Sequence, residues 1–165
     1  MCGRAAASTP SFSAQSQLEK PTMDRSPIAM PDFDPQILLE QAREARERAY
    51  APYSRYRVGA ALLGRSGRIY TGCNVENAVY PLCTCAERTA VVKAVSEGER
   101  EFIALAVVTE NGGTPCGACR QTLREFAEDL IILIGDAEGH WRQTTLGQLL
   151  PESFSAADLG GGSTE

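Results

Sequence analysis

The sequence predicts a layered α/β domain with a mixed β-sheet, and two observations carry that prediction. A β-hairpin pattern spans residues 57–73, and helical and extended segments then alternate from residue 85 to residue 134. A hairpin followed by alternating helices and strands is typical of a mixed sheet that helices cover. The 165 residues are enough for one domain with a hydrophobic core and too few for two.

The first predicted helix begins after Asp34 and continues to Tyr50. Asp34 is a suitable N-cap, and Pro35 fits the first helical position. Apolar residues then recur at helical spacing until the chain reaches Pro52, which cannot continue a helix.

The later elements follow from periodicity and from turn residues. Glycines at both ends of the segment 64–67 predict a hairpin turn, and Gly98 predicts the end of a helix rich in alanine and valine. Predicted strands cover residues 57–63, 68–73, 102–109, 130–134 and 141–144, and two further helices cover 85–97 and 117–127.

The two ends of the chain differ in composition from the middle. Residues 1–31 contain four prolines among serine, threonine and glutamine, and residues 160–165 begin with three glycines. Such segments bury too little apolar surface to fold, so we predict a disordered extension at 1–31, a folded domain at 32–159 and a disordered tail at 160–165. The N-terminus lacks the apolar run of a secretory signal, whereas a transit peptide stays open because acidic residues are scarce there.

Charge and hydropathy narrow the choice of partners and compartment. The net charge is −5, whereas nucleic-acid-binding domains are usually basic. No apolar stretch approaches the roughly 18 to 20 residues of a membrane-spanning helix. We therefore predict a small-molecule partner, with neither nucleic acid nor membrane. We also expect a cytoplasmic protein with reduced cysteines, in which cysteine spacing indicates metal binding or catalysis.

Three cysteines and one glutamate form the decisive pattern. Cys85 stands two residues before Glu87, and Cys116 and Cys119 stand three residues apart at a predicted helix start. Zinc binds thiolates in a tetrahedron, and a catalytic zinc site leaves one position open. Helix N-termini favour thiolates, and residues three apart in a helix face the same way. The pattern predicts a zinc site with Glu87 as the group that moves protons beside it.

Two other interpretations of the cysteines stay open. A structural zinc site would need a fourth protein ligand, for which the sequence offers Cys2, Cys73, Cys83 and His140. A Cys-x-x-Cys pair also occurs in thioredoxin-like redox proteins. Neither interpretation gives Glu87 a role, so we prefer the catalytic one.

The motifs together resemble a known family. Cys-Ala-Glu at 85–87 and Pro-Cys-Gly-Ala-Cys at 115–119 resemble the zinc deaminase signature, with cysteine in place of the usual histidine. The segments 53–61, 72–78 and 149–154 extend the match, so that residues 34–159 resemble the small homotetrameric cytidine deaminases. The resemblance implies a three-layer sandwich whose mixed five-stranded sheet is flanked by helices. It also implies bound Zn²⁺, the hydrolytic deamination of free cytidine and 2′-deoxycytidine in pyrimidine salvage, and a homotetramer whose subunits share sites.

The resemblance also assigns substrate-binding residues. Asn74 and Glu76 match the family residues that hold the ribose hydroxyls. Tyr56 stands where the family usually has a phenylalanine that packs on the pyrimidine. Tyr80 and Phe154 match aromatic residues of the pocket wall, and Phe154 is expected to reach the site of a neighbouring subunit.

The remaining implied roles concern the metal and the protons. Arg88 is expected to hydrogen-bond ligand sulfur and so to offset the excess negative charge of three thiolates, with Arg120 as a possible assistant. Glu87 is expected to move protons between the attacking water, N3 of the pyrimidine and the departing amine. Other amine-bearing nucleosides or bases stay open as substrates, although the ribose-binding pair favours a free nucleoside.

Overall fold

A five-stranded mixed sheet forms the centre of the protein. The computed structural model describes residues 33–159, so the segments 1–31 and 160–165, which we predict to be disordered, lie outside the described residues. The strands are β1 (Gly59–Gly64), β2 (Ile69–Cys73), β3 (Phe102–Val108), β4 (Ile131–Gly135) and β5 (Trp141–Thr145). Their order is β2-β1-β3-β4-β5, with β3 and β4 parallel and the other neighbours antiparallel.

Helices cover both faces of this sheet and make three layers. The α-helices are α1 (Pro35–Arg46), α2 (Ala86–Ser96), α3 (Gly117–Arg124) and the short α4 (Leu146–Leu149). Helix α1 packs its buried Leu38, Leu39 and Ala42 on one face, whereas residues of α2 and α3 join the core on the other face. The prediction of a three-layer sandwich with a mixed five-stranded sheet is confirmed.

The centre of the sheet is buried on both faces because the inner strands β1, β3 and β4 are apolar at nearly every position. All six residues of β1 and all five of β4 are buried. Alternate residues of β1 enter different cores: Ala60 and Leu62 face α2, and Ala61 and Leu63 face α1.

Two glycines allow the helices to approach the sheet closely. A Cβ atom at Gly59 would lie 2.0 Å from the carbonyl oxygen of Ala42 in α1. A Cβ atom at Gly72 would lie 2.5 Å from the carbonyl oxygen of Ala86 in α2. The second contact matters for function, because it fixes the first turn of α2 against the end of β2.

The structure differs from the sequence prediction at the end of the first helix. Helix α1 ends at Arg46 rather than at Tyr50. The backbone of Tyr50 instead exchanges hydrogen bonds with the segment after β2: its N–H donates to the Asn74 carbonyl, and its carbonyl accepts from the Glu76 N–H. The apolar spacing of the sequence favours hydrogen bonds within a helix up to Tyr50, but the backbone of Tyr50 makes these long-range hydrogen bonds instead. The hairpin turn is as predicted, with Gly67 at a φ of 83°.

Candidate active site

Two helix N-termini bring three cysteine sulfurs together. Cys85 is the N-cap of α2, and Cys116 is the N-cap of α3, so the helices begin one residue beyond each cysteine. Cys119 lies in the first turn of α3 and is buried. The sulfur atoms of the three residues all lie within 4.8 Å of one another. The structure thus assembles all three predicted zinc ligands.

The spacing of the sulfurs fits one zinc ion. The Sγ atoms of Cys85 and Cys116 are 4.0 Å apart, and those of Cys116 and Cys119 are 3.5 Å apart. Three thiolates on a tetrahedral ion with bonds of about 2.3 Å would be about 3.8 Å apart. The three donors are cysteine sulfurs, which are ligands that zinc prefers. They are available to a metal because none of the cysteines in residues 33–159 forms a disulfide.

The environment of Cys85 favours its thiolate. A hydrogen bond from the Cys119 thiol, together with hydrogen bonding and charge attraction from Arg88, lowers the pKa of Cys85 to about 5 against the opposing effect of burial. The same hydrogen bond raises the pKa of Cys119, and so do its burial and the negative charge of Glu87. The Cys85 sulfur is therefore a ready anion, whereas the Cys119 sulfur becomes an anion when a cation compensates its charge.

Glu87 lies beside the sulfurs and is almost inaccessible to water. Its residue is 4% exposed, in the first turn of α2. Burial is the main cause that raises the pKa of its carboxyl group, and the negative charge of Cys85 adds to that effect. A carboxyl group with a raised pKa next to a cation site can both accept and release a proton, which general acid–base catalysis requires.

Arg88 contacts a cysteine sulfur, as the resemblance implies, whereas Arg120 has other partners. Arg88 Nη2 lies 3.7 Å from Cys85 Sγ and 3.0 Å from the Cys83 carbonyl oxygen, to which it donates. Arg120 donates to the carbonyl oxygens of Pro115 and Leu149, at 2.7 Å each, and to Thr114 Oγ1. The suggestion that Arg120 assists at the sulfurs is wrong: it holds the segment that precedes Cys116.

The other cysteines of the described chain do not join the cluster. Cys83 Sγ accepts a hydrogen bond from the Asn77 N–H, and Cys73 Sγ donates to the Arg48 carbonyl oxygen. Within residues 33–159, the cluster therefore offers three sulfurs and no fourth protein ligand. Cys2 lies outside the described residues. This arrangement favours the catalytic over the structural type of zinc site.

Asn74 and Glu76 both bind the loop between α1 and β1. Asn74 Oδ1 accepts from the Val58 N–H at 2.8 Å, and its Nδ2 donates to the Tyr56 carbonyl oxygen at 2.9 Å. Glu76 accepts from the Tyr53 and Ser54 N–H groups and from the Ser54 hydroxyl. The Ser54 hydroxyl is the main cause that lowers the pKa of Glu76, so this side chain is a carboxylate at neutral pH. Amide and carboxylate atoms can each take a further hydrogen bond.

A small cavity lies on this side of the site. It has a volume of about 340 Å³ and is lined by Tyr53, Ser54, Glu76, Tyr80 and Cys83. The rings of Tyr53 and Tyr80 meet edge to face, with centroids 6.0 Å apart. Tyr80 and Glu76 therefore line the same cavity.

The sequence analysis did not assign a role to several of these residues. Ser54 holds Glu76, Tyr53 supports Tyr80, and Cys83 lines the cavity. Tyr53 and Ser54 belong to the motif at 53–61, directly before Arg55 and Tyr56. Their place in that motif is the sequence signal that could have indicated a role at the site.

Phe154 lies at the other end of the chain and remains outside this cavity. It is 56% exposed, and its carbonyl oxygen accepts a hydrogen bond from Gln121 Nε2 of α3 at 2.9 Å. The Ser153 hydroxyl accepts in turn from Arg124 Nε at 2.8 Å. Residues 153–154 are thus anchored to α3 by two hydrogen bonds. The aromatic ring of Phe154 stays accessible within the single chain.

Comparisons with known proteins agree with this geometry. Residues 34–134 match the model of the family described as "Cytidine and deoxycytidylate deaminase zinc-binding region", and with the three-sulfur cluster this confirms the prediction of zinc. The cytidine deaminase of Sporosarcina psychrophila is 49% identical over 130 residues, which cover 77% of this chain and 96% of that relative. The cytidine deaminase of Mycobacterium tuberculosis is 43% identical over 132 residues, with coverages of 79% and 96%.

Solved structures give the same result. The crystal structure of cytidine deaminase from Burkholderia pseudomallei is 48% identical and has a TM-score of 0.71. The match covers 74% of this chain and 100% of that one. The crystal structure of cytidine deaminase from M. tuberculosis is 44% identical, with a TM-score of 0.66 and coverages of 74% of this chain and 98% of that one. The chain belongs to the cytidine and deoxycytidylate deaminase family.

Proposed function

We propose that this protein hydrolyses free cytidine and 2′-deoxycytidine to the uracil nucleosides and ammonia, a reaction of pyrimidine salvage. The observation that carries the proposal is the buried carboxyl group of Glu87 beside three converging cysteine sulfurs. Curated relatives at 43% to 49% identity bear the name cytidine deaminase, and the predicted enzyme class agrees with theirs.

The chemistry divides between the metal and one carboxylate. Zinc held by Cys85, Cys116 and Cys119 would supply Lewis acidity that makes water acidic near pH 7. Glu87 accepts a proton from the attacking water and delivers it to N3 of the pyrimidine. After water adds to C4, Glu87 passes the remaining proton to the exocyclic amine, which leaves as ammonia. Burial of Glu87 keeps bulk water from exchanging these protons.

The chain's polar and aromatic residues would bind the nucleoside. Glu76, a carboxylate held by the loop at 53–54, is suited to accept a hydrogen bond from a ribose hydroxyl, and the Asn74 amide can donate or accept beside it. Tyr56 and Tyr80 are 38% and 68% exposed and so can offer ring faces to a pyrimidine. These contacts favour a free nucleoside over a bare base.

We further propose that the protein is a homotetramer with shared sites. Phe154 is anchored through its backbone but exposes its ring, and Tyr80 and Leu82 are more than 60% exposed. Apolar side chains presented in this way are typical of surfaces that a partner covers. A second subunit that brings Phe154 to the site would complete the aromatic wall.

The cellular setting is also a proposal. Within residues 33–159, no helix is long and apolar enough to span a membrane. None of the five cysteines in this part of the chain forms a disulfide, which suits the reducing cytoplasm. The net charge of −5 gives no support to nucleic acid as a partner.

One experiment tests the proposed activity directly. Purified protein with its zinc content measured is mixed with cytidine, and deamination is followed by the change in ultraviolet absorbance and by ammonia release. We expect turnover in proportion to zinc content. A panel of other amine-bearing nucleosides and bases serves as the comparison: preferential turnover of one of these would refute the assignment of cytidine as substrate.

A further inference from the structure

The loop at 109–115 connects β3 to the zinc-ligand segment and is held at both of its ends. At its start, the buried Thr109 accepts a hydrogen bond through Oγ1 from the Gly113 N–H at 2.7 Å. At its end, the Pro115 carbonyl oxygen accepts from Arg120 Nε. Since Cys116 follows directly, the position of this loop affects the position of a zinc ligand.

A hydrogen bond between side chains ties the middle of this loop to the loop before β1. Tyr56 Oη donates to Asn111 Oδ1 at a distance of 2.8 Å, across 55 residues of sequence. The backbone of Tyr56 is fixed separately: its N–H donates to Ser54 Oγ, and its carbonyl oxygen accepts from Asn74 Nδ2. The Tyr56 ring therefore extends from the residues that hold Glu76 to the loop that leads to Cys116.

The close approach of Gly113 to the Tyr56 hydroxyl is independent evidence that the Tyr56 ring packs against the loop at 109–115. A Cβ atom added at Gly113 would lie 2.6 Å from Tyr56 Oη, closer than real contacts allow. The same atom would lie 3.7 Å from Asn111 Oδ1, an ordinary distance. An alanine at this position would therefore displace the tyrosine hydroxyl in particular.

We propose that Asn111 is a positioning residue for nucleoside binding, which holds the ring of Tyr56 in one orientation through the tyrosine hydroxyl. The inference rests on the proposed function, in which that ring packs on the pyrimidine. Tyr56 is 38% exposed, so neighbouring side chains leave its ring partly unsupported. A ring that is already held in place loses less conformational freedom when substrate binds, and binding is tighter for that reason.

The test compares variants that break the hydrogen bond with variants that keep it. Tyr56→Phe and Asn111→Ala remove the donor and the acceptor, whereas Asn111→Asp keeps an acceptor oxygen. Tyr50→Phe is the matched control, because it deletes the hydroxyl of another exposed tyrosine. We expect Tyr56→Phe and Asn111→Ala each to raise KM for cytidine by about two- to tenfold, the usual contribution of one hydrogen bond, with little change in kcat.

Coupling between the residues distinguishes positioning from independent effects. The double variant Tyr56→Phe/Asn111→Ala should have the KM of the single variants, since both changes remove the same hydrogen bond. Gly113→Ala should raise KM in the parent and have little further effect when residue 56 is phenylalanine. Asn111→Asp and Tyr50→Phe should keep the parent KM.

A second measurement does not depend on activity. Hydrogen exchange of the peptide that covers residues 109–115 should become faster in Tyr56→Phe and Asn111→Ala and stay unchanged in Tyr50→Phe. Faster exchange with an unchanged KM would reduce the hydrogen bond to a structural role and overturn the proposal, as would additive effects on KM. If the parent enzyme does not deaminate cytidine, the proposed function is refuted instead. Hydrogen exchange still tests the contact in that case: unchanged exchange in Tyr56→Phe and in Asn111→Ala would show that the hydrogen bond between Tyr56 and Asn111 does not hold the loop.

Discussion

Replacing Glu87 with glutamine removes a proton acceptor from the site and changes little else. Glutamine has nearly the same shape and can still hydrogen-bond to water, but its amide cannot accept a proton and pass it on. The three cysteine ligands are untouched, so the zinc content should stay that of the parent. An uncharged side chain also avoids the cost of burying a carboxylate at a position that is 4% exposed, so the unfolding temperature should not fall.

The expected loss of rate follows from the role and burial of the carboxyl group. One positioned acid or base contributes about 10² to 10⁴ in rate, which corresponds to about 3 to 5 kcal/mol of activation free energy. In the proposed mechanism Glu87 moves protons at more than one step, and its burial, at 4% exposed, leaves bulk water little access to replace it. We therefore expect kcat to fall by about 10⁴ or more.

The assay combines initial rates on cytidine with zinc content and the binding of uridine by calorimetry. Glu101→Gln is the matched control: it makes the same chemical change in a side chain that is 70% exposed and pairs with Arg65. Uridine affinity should survive in both variants. Turnover of Glu87→Gln within about tenfold of the parent would refute the mechanism. Loss of zinc would show instead that Glu87 is a ligand or a structural anchor.

Three further predictions concern other parts of the molecule. Arg88→Gln should retain zinc but lower kcat by about 10- to 100-fold, because Cys85 loses a charged donor; zinc content and initial rates check this, and an unchanged kcat would contradict it. Phe154→Ala should raise KM more than it lowers kcat, since it removes an aromatic wall and no chemical group. Mixing it with Glu87→Gln should restore some activity if Phe154 serves a neighbouring subunit, whereas no recovery despite subunit exchange would place it in its own chain's site. Removal of residues 1–31 should leave kcat/KM and the unfolding temperature nearly unchanged, and a truncated protein that fails to fold would show that this segment belongs to the domain.

The parts of the fold that sequence could predict depend on local signals. Asp34 accepts a hydrogen bond from the Gln36 N–H, as an N-cap does, and Gly98 adopts a φ of 92° just beyond α2. The short helix α4 was not predicted, although Thr145 and Gln148 form a capping box at its start. Four residues carry too little periodicity to indicate a helix, so that element depends on its packing.

The parts of the site that sequence missed depend on contacts between distant segments. The sulfur cluster and Glu87 were predictable because each residue lies at a fixed offset from a helix start: Cys85 and Cys116 are the N-caps, whereas Glu87 and Cys119 lie in the first turns. The hydrogen bonds from Ser54 to Glu76 and from Tyr56 to Asn111 span 22 and 55 residues, and no local pattern marks them. Only the folded arrangement of the loops brings these pairs together.

The charges around the cluster explain why Arg88 and two helix starts accompany a site with three thiolates. In the zinc-bound protein, three thiolates and the Glu87 carboxylate would bring four negative charges close together. A zinc ion and Arg88 would offset three of them. The N-termini of α2 and α3, each equivalent to about half a positive charge, offset the fourth. Because a nearly neutral site can hold Glu87 in either protonation state, the same carboxyl group can take a proton at one step and release it at the next.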